Sequence, residues 1–221
     1  MEDAPGPGAG AVSVVAIDTA SRTSAWVVRT EAGAVLEQRA VPGGELDRLL
    51  PAARAGVLTD DVVAVVVLMG PGSYSGVRAG MAAALGIAQA RHLPLHGIGN
   101  LVAIAVAAGS AGQRFSAVSD AGRGGVYIAD FERVGAGIKQ VTAVTRVDAD
   151  AVDHTQPLFA TSAITGLAAE VLDPVVVLAA AVPQALAEPP LEAAGLSAIH
   201  AQNAGRQLHQ GPAPAPPATA R

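Results

Sequence analysis

The sequence predicts an α/β fold of two lobes, and three observations carry that prediction. The run Val62 to Val67 is apolar and almost entirely β-branched, with no polar alternation, as in a strand covered on both faces. Short strand-like runs alternate with helical patterns in the order β-β-β-α-β-α-β-α over Val12 to Ala108. Between the Val62 strand and the next helix stands Met69-Gly70-Pro71-Gly72-Ser73-Tyr74-Ser75-Gly76-Val77-Arg78-Ala79-Gly80, a glycine-rich passage from strand to helix.

Each element has its own signal. Val12 to Asp18 reads as a buried strand closed by Asp18-Thr19. Thr23 to Arg29 and Ala34 to Val41, joined at Glu31-Ala32-Gly33, complete a three-stranded antiparallel meander. Glu45 to Val57 sets Leu46, Leu49, Leu50, Ala53 and Val57 at helical spacing, and Pro51 inside it predicts a kink. Val77 to Arg91 is a small-residue helix, Leu95 to Ile98 a short strand and Leu101 to Ala108 a further helix. Gly109 to Gln113 reads as a seam. Beyond it come strand-like runs at Phe115 to Ser119, Gly125 to Glu132, Ile138 to Val147 and Leu158 to Thr161, then a helical stretch from Val175 to Ala187 broken by Pro183. The expected organisation is a disordered leader over 1–11, a first lobe over 12–108, a smaller second lobe over 114–209, and a disordered Pro/Ala-rich tail over 210–221.

Composition narrows the chemistry. Of 221 residues, 51% are hydrophobic and only 3% aromatic, so the core must be built from Ala, Val, Leu and Ile. A formal net charge of -5 without a basic stripe argues against direct neutralisation of nucleic-acid phosphates. The lack of cysteine removes disulfides, thiolate metal sites and cysteine nucleophiles, and accords with a reducing cytoplasm. His92 to Gln113 carries no Asp, Glu, Lys or Arg, but Pro94 and its glycines predict a strand, turn and helix rather than a membrane span.

Several residue groups invite a chemical reading. The Gly70, Gly72, Ser73, Gly76 loop at a helix start has the geometry of an anion cradle, but lacks the Lys-Ser/Thr of a nucleotide P-loop; a tight turn beside an interface is favoured. Asp18 and Thr19 could hold a metal-bound phosphate only with further acidic residues from the second lobe, where Asp120 alone stands near in motif, so Asp18 reads as a remnant at the strand end. His92 and His96 are four apart, but Pro94 places them outside one helix. Ser73 and Ser75 lack a nucleophile elbow. Two apolar stripes, Leu46, Leu49, Leu50 and Ala53 on one helix and Val77, Gly80, Met81, Ala84, Leu85 and Ala88 on the other, are expected to include a face for a partner as well as the core.

The motifs carry a resemblance. Ile17-Asp18-Thr19-Ala20 with the element order resembles the opening of the actin-like ATPase (ASKHA) fold. Arg48-Leu49-Leu50-Pro51, Gly70-Pro71-Gly72-Ser73-Tyr74-Ser75-Gly76-Val77-Arg78, Leu93-Pro94-Leu95-His96-Gly97-Ile98, and Asp120-Ala121 with Val126-Tyr127 resemble the motifs of the TsaB (YeaZ) family. The resemblance is close over Val14 to Tyr127 and holds only in outline beyond. It implies a non-catalytic scaffold, without cofactor or metal, that binds TsaD as a heterodimer for N6-threonylcarbamoyl transfer to adenosine 37 of tRNA. It further implies that the pair recruits TsaE, that the chain forms a homodimer when TsaD is absent, and that tRNA is met only through the partner. Asp18, Thr19, Gly70, Gly72, Ser73, Gly76 and Arg78 are then a vestigial nucleotide loop. The metal-binding histidines of TsaD fall near Asn100 and Ile104, neither of which is a histidine. The sequence departs from the family at Glu45 and Leu46, where His-Ser is usual, and at Gly122 and Gly125, which replace an Arg and a Glu. The competing reading is an active actin-like enzyme, a kinase or a glycoprotease-like (M22) metallohydrolase.

Overall fold

The computed structural model describes residues 12–43, 45–54 and 56–192, with the side chain of Leu46 outside that set. The expected leader, the expected tail and the stretch 193–209 of the second lobe lie outside the described residues.

The first sheet opens with the antiparallel meander β1 (Ser13–Asp18), β2 (Ser24–Glu31) and β3 (Ala34–Pro42). The β2–β3 turn is Ala32-Gly33, both at positive φ (47° and 86°), the backbone twist that a two-residue hairpin favours. β4 (Val62–Leu68) joins β1 in parallel and β5 (Leu95–Ile98) joins β4, giving the order β3-β2-β1-β4-β5. A six-residue helix α1 (Leu49–Arg54), led in by one 3-10 turn over Leu46–Arg48, and the long α2 (Tyr74–Arg91) cover one face. Against them the strands present Val15, Ile17, Val27, Val65 and Val67. The other face meets α3 (Asn100–Ala107).

The second sheet comprises β6 (Arg114–Gly122), β7 (Gly125–Val134), β8 (Gly137–Gln140), β9 (Thr145–Asp148), β10 (Leu158–Ala160) and β11 (Glu170–Val171). Its order is β11-β10-β6-β7-β8, with β9 also on β7. The final helix, α4 (Pro174–Leu186), starts at a strong signal: Asp173 caps it by accepting from Val175 N at 2.8 Å, and Pro174 occupies the first helical position. Although α4 lies beyond the seam in sequence, it packs beside α3 and on the first sheet. α3 therefore lies between the second sheet and the first, with α4 beside it on the first sheet, and one continuous core runs from Val14, Ala16, Val66 and Leu68 through Leu101, Ile104 and Leu178 to Phe115, Phe131 and Phe159. All three phenylalanines of the chain meet there, Phe115 stacked on Phe131 at 6.1 Å and edge-on to Phe159 at 5.5 Å. Gly109 in the seam has a φ of 75°, and a Cβ there would strike the Phe115 ring.

Three expectations need correction. The helix over Glu45 to Val57 is shorter, and Pro51 does not kink it. Pro51 falls in the first turn of α1, where the backbone N–H has no helical acceptor to lose. Pro183 does not break α4, which runs on to Leu186; the proline sits exposed in the last turn, so at most one backbone bond is forfeited. The run Ile138 to Val147 is two strands, because the Asp130 carbonyl draws the amides of Val141 and Thr142 into a bend between them. The charge-free stretch from His92 divides into β5 and α3, and among the described residues no helix is long and apolar enough to cross a membrane.

Arg133 on β7 ties the second sheet to the middle layer. Its Nη2 donates to the carbonyls of Ala105 (2.9 Å), Val106 (2.8 Å) and Ala108 at the C-terminal end of α3, where carbonyls lack helical partners and a cation meets the negative end of the helix dipole. Arg133→Ala is expected to lower stability by about 2 kcal/mol in urea unfolding, whereas the exposed Arg114→Ala should change it by under about 0.5 kcal/mol.

Candidate functional site

The glycine-rich loop leaves β4 at Met69, whose N–H donates to Ile98 O at 2.9 Å. Gly70 turns at a φ of 86° and its peptide to Pro71 is cis. The Gly70 carbonyl accepts from Asn100 N at 2.7 Å, and the Pro71 carbonyl accepts from both Asn100 Nδ2 and Ser119 Oγ at 3.2 Å. Ser73 then caps α2, its Oγ accepting from Gly76 N at 3.3 Å, while its own N–H donates to Ala20 O at 2.8 Å.

The glycines of this loop are filled by the chain itself. A Cβ on Gly72 would overlap Ala20 O, one on Gly76 would overlap Thr19 O, and one on Gly80 would overlap Thr19 Oγ1. Spaced four apart, they clear a groove along α2 into which the backbone of Thr19-Ala20 lies, and Thr19 Oγ1 completes the seat by donating to Gly76 O at 2.7 Å. The Ser73 N–H and the side of the loop cleared by the glycines thus meet the residues that follow β1.

Asp18 sits behind this seat, 2% exposed, with its carboxylate accepting from Ala20 N at 2.7 Å. Burial raises its pKa to about 6, against the smaller opposing effect of the Ala20 N–H. Asn100 is buried, and its Oδ1 has no hydrogen-bond partner; Ile104, one turn on, is fully buried in the middle core. The two histidines part company. His92 is exposed and ends α2 at a φ of 53°, whereas His96 is buried on β5 with Nδ1 3.1 Å from Glu188 O. No group of three His, Asp or Glu side chains suited to a metal occurs among the described residues. Ser75 and Arg78 lie exposed on α2, where Arg78 donates to Tyr74 Oη and stacks 5.2 Å from its ring centre.

The two apolar stripes divide differently from expectation. Leu49, Ala53, Val77, Gly80, Met81, Ala84 and Ala88 are buried in the chain's own core, and Leu85 is partly buried against it. They cannot also present a surface. Leu50 is exposed, and the Leu46 side chain lies outside the described residues. The outward face of α2 consists instead of Ala82, Gly86, Gln89 and Ala90, flanked by Ala79 and Ala83 and continued by Tyr74, Ser75 and Arg78. Beside it runs a groove of about 630 Å³ whose far wall is Leu50, Arg54 and Leu58. Apolarity could not separate these faces, because alanine lies on both: Ala84 and Ala88 are buried with Val77, Met81 and Ile87, while Ala82 and Ala90 are exposed.

The departures from the family at Gly122 and Gly125 also have a local cause. Arg123-Gly124 is a hairpin turn with both residues at positive φ, and Arg22 and Arg146 fill the space in front of the two flanking glycines, where a Cβ would overlap their guanidinium groups. Arg22 pairs with Asp120 at 3.4 Å, and Arg146 donates to Gly122 O at 3.2 Å.

Two sheets flanking a helical layer, with the first strand ending in Asp-Thr beneath a glycine loop, define an actin-like ATPase type of fold. Two solved structures from Pseudomonas aeruginosa share it: an uncharacterized protein with similarity to peptidase YeaZ (TM-score 0.67, 21% identity, covering 86% of this chain and 99% of that one) and YeaZ (TM-score 0.62, 22% identity, 81% and 95%). Residues 46–202 match the family model for TsaD, tRNA N6-adenosine threonylcarbamoyltransferase. The chain belongs to that family, among its TsaB (YeaZ) members. It is 30% identical over 127 residues to the tRNA threonylcarbamoyladenosine biosynthesis protein TsaB of Escherichia coli K12, covering 54% of this chain and 55% of that protein. It is 38% identical over 100 residues to an uncharacterized protein of Mycobacterium tuberculosis H37Rv, covering 42% and 47%. The chain thus spans about half the length of the curated relatives it matches.

The burial of Asp18 sets a pH dependence. Its folded pKa of about 6 lies above the ordinary 3.8, so the folded state holds the proton more tightly than the unfolded one. The stabilising contribution is complete below pH 3.8, fades as pH rises, and is gone above about pH 6. Asp18→Asn, which cannot ionise, is expected to gain on the order of 3 kcal/mol over the parent between pH 4 and pH 7, read as a difference in thermal unfolding that widens across that range. A difference constant with pH would show that Asp18 ionises freely in the fold.

Proposed function

We propose that the chain is a non-catalytic partner subunit for the threonylcarbamoyl modification of tRNA, binding and activating TsaD through the outward faces of α1 and α2. The observation that carries this reading is the pairing of a sealed loop with an unsealed helix. The glycines at the loop, where an actin-like enzyme would meet phosphate, are occupied by Thr19 and Ala20. The Ala82-Gly86-Ala90 ridge of α2, by contrast, is bare and borders an apolar groove. Small residues in such a ridge allow another helix to approach closely, and large exposed apolar side chains are not needed to make the contact strong. Family membership and the biosynthetic role in the name of the E. coli relative support the same direction.

In this reading TsaD supplies the chemistry and TsaE joins through the pair. The same ridge draws two copies of the chain together when TsaD is absent. A net charge of -5 leaves tRNA to the partner. No cofactor is required of this chain, and the reaction proceeds in the cytoplasm.

The test is light scattering after gel filtration, on the chain alone and mixed with TsaD from the same cell. A heterodimer is expected, and a chain that stays apart from TsaD refutes the reading. Leu49 and Ala84 are unsuitable for mapping, since charge at either buried position would unfold the chain first. Gly86 serves, because a Cβ there has nothing within 4 Å. Gly86→Arg is expected to abolish the heterodimer with a melting temperature no lower than the parent's. Gly86→Ala should keep the complex and add about 0.5–1 kcal/mol of stability.

A further inference from the structure

Ser119 and Asp120 lie near the end of β6, and each reaches out of the second sheet to hold a different loop of the first. Asp120 meets Arg22 in the β1–β2 connection at 3.4 Å, with both side chains partly exposed, a pairing of small consequence. Ser119 is 9% exposed, and its Oγ donates to the Pro71 carbonyl at 3.2 Å in a site closed to water. The same carbonyl accepts from Asn100 Nδ2 at 3.2 Å. Two donors from two elements therefore converge on one oxygen of the loop that opens α2.

The location matters because this bond joins the loop that opens α2 directly to the second sheet, whereas the other connections run the length of α3 from Asn100 to Arg133 or through the partly exposed Arg22–Asp120 pair. α2 packs on the face of the first sheet that carries Val15, Ile17, Val65 and Val67, while the second sheet packs against the middle layer on the opposite face. Any influence passing through the core must cross the first sheet. Through the loop it need only run from Thr19 and Gly76, by way of Ser73 and Pro71, to Ser119.

We propose that the Pro71 carbonyl is a latch coupling α2 to the second sheet, so that loosening the first turn of α2 loosens the β6–β7 hairpin, and the reverse. The coupling follows from the bond network alone and does not rest on the partner reading. If α2 is the docking face, the latch carries news of docking to the Arg123-Gly124 turn.

The test is a mutant cycle read by amide hydrogen exchange on the full chain, which reports local opening segment by segment. Thr19→Val removes the Thr19 Oγ1 bond to Gly76 O at constant volume. With Ser119 present, it is expected to speed exchange of the amides from Val118 to Tyr127 by about fivefold. With Ser119→Ala, the same change should speed them by less than about twofold. Ser119→Thr, which keeps the hydroxyl, should restore the larger effect. Ser73→Ala, which removes the α2 cap, serves as a second perturbation should Thr19→Val fold poorly. Equal acceleration with and without the Ser119 hydroxyl overturns the latch. So does an effect confined to the first sheet, or one spread evenly over every strand.

Discussion

The close approach of α2 to the end of β1 is the constraint on which the rest of the structure depends. Three glycines, four residues apart, bring the helix onto the Thr19-Ala20 backbone, and that contact fixes where the helix starts and how it lies across the sheet. Once α2 is seated, Val77, Met81, Ala84 and Ala88 must point into the valine floor, and the remaining alanines and Gly86 must point away. The character of the outer face is therefore set from within. A side chain at Gly76 or Gly80 would do more than create a clash, because it would rotate or lift every residue that follows.

The same contact shapes the strand end. The glycine loop lies against Thr19-Ala20 through hydrogen bonds and backbone contact, and Asp18 lies behind it, buried and accepting from one amide. A buried carboxylate with one donor costs stability near neutral pH, so Asp18 does not strengthen the fold there.

Much of this was legible in the sequence, and the misses have physical causes. The meander, the Val62 strand and the start of the glycine loop were read from β-branched runs and from turn residues, which are local signals. The motifs from Ile17 to Tyr127 carried the family. Pro51 and Pro183 were misjudged because a proline's effect depends on its distance from a helix end, which composition does not reveal. The faces of α2 were misassigned because alanine is compatible with core and surface alike, and only the Gly72-Gly76-Gly80 spacing marks which side meets the chain. Ser119 carries no signal in the sequence, and Asn100 stands out there only as a position that lacks a histidine: each is an ordinary polar residue until Pro71 is brought between them from far along the chain.

The position of α4 has a consequence for how the molecule is made. The last helix of the described chain lies beside α3 on the first sheet, whose first strand was translated about 160 residues earlier. Until Pro174–Leu186 has been made, the face of the first sheet that α4 covers lacks part of its cover, so the first lobe cannot finish before the second has been synthesised.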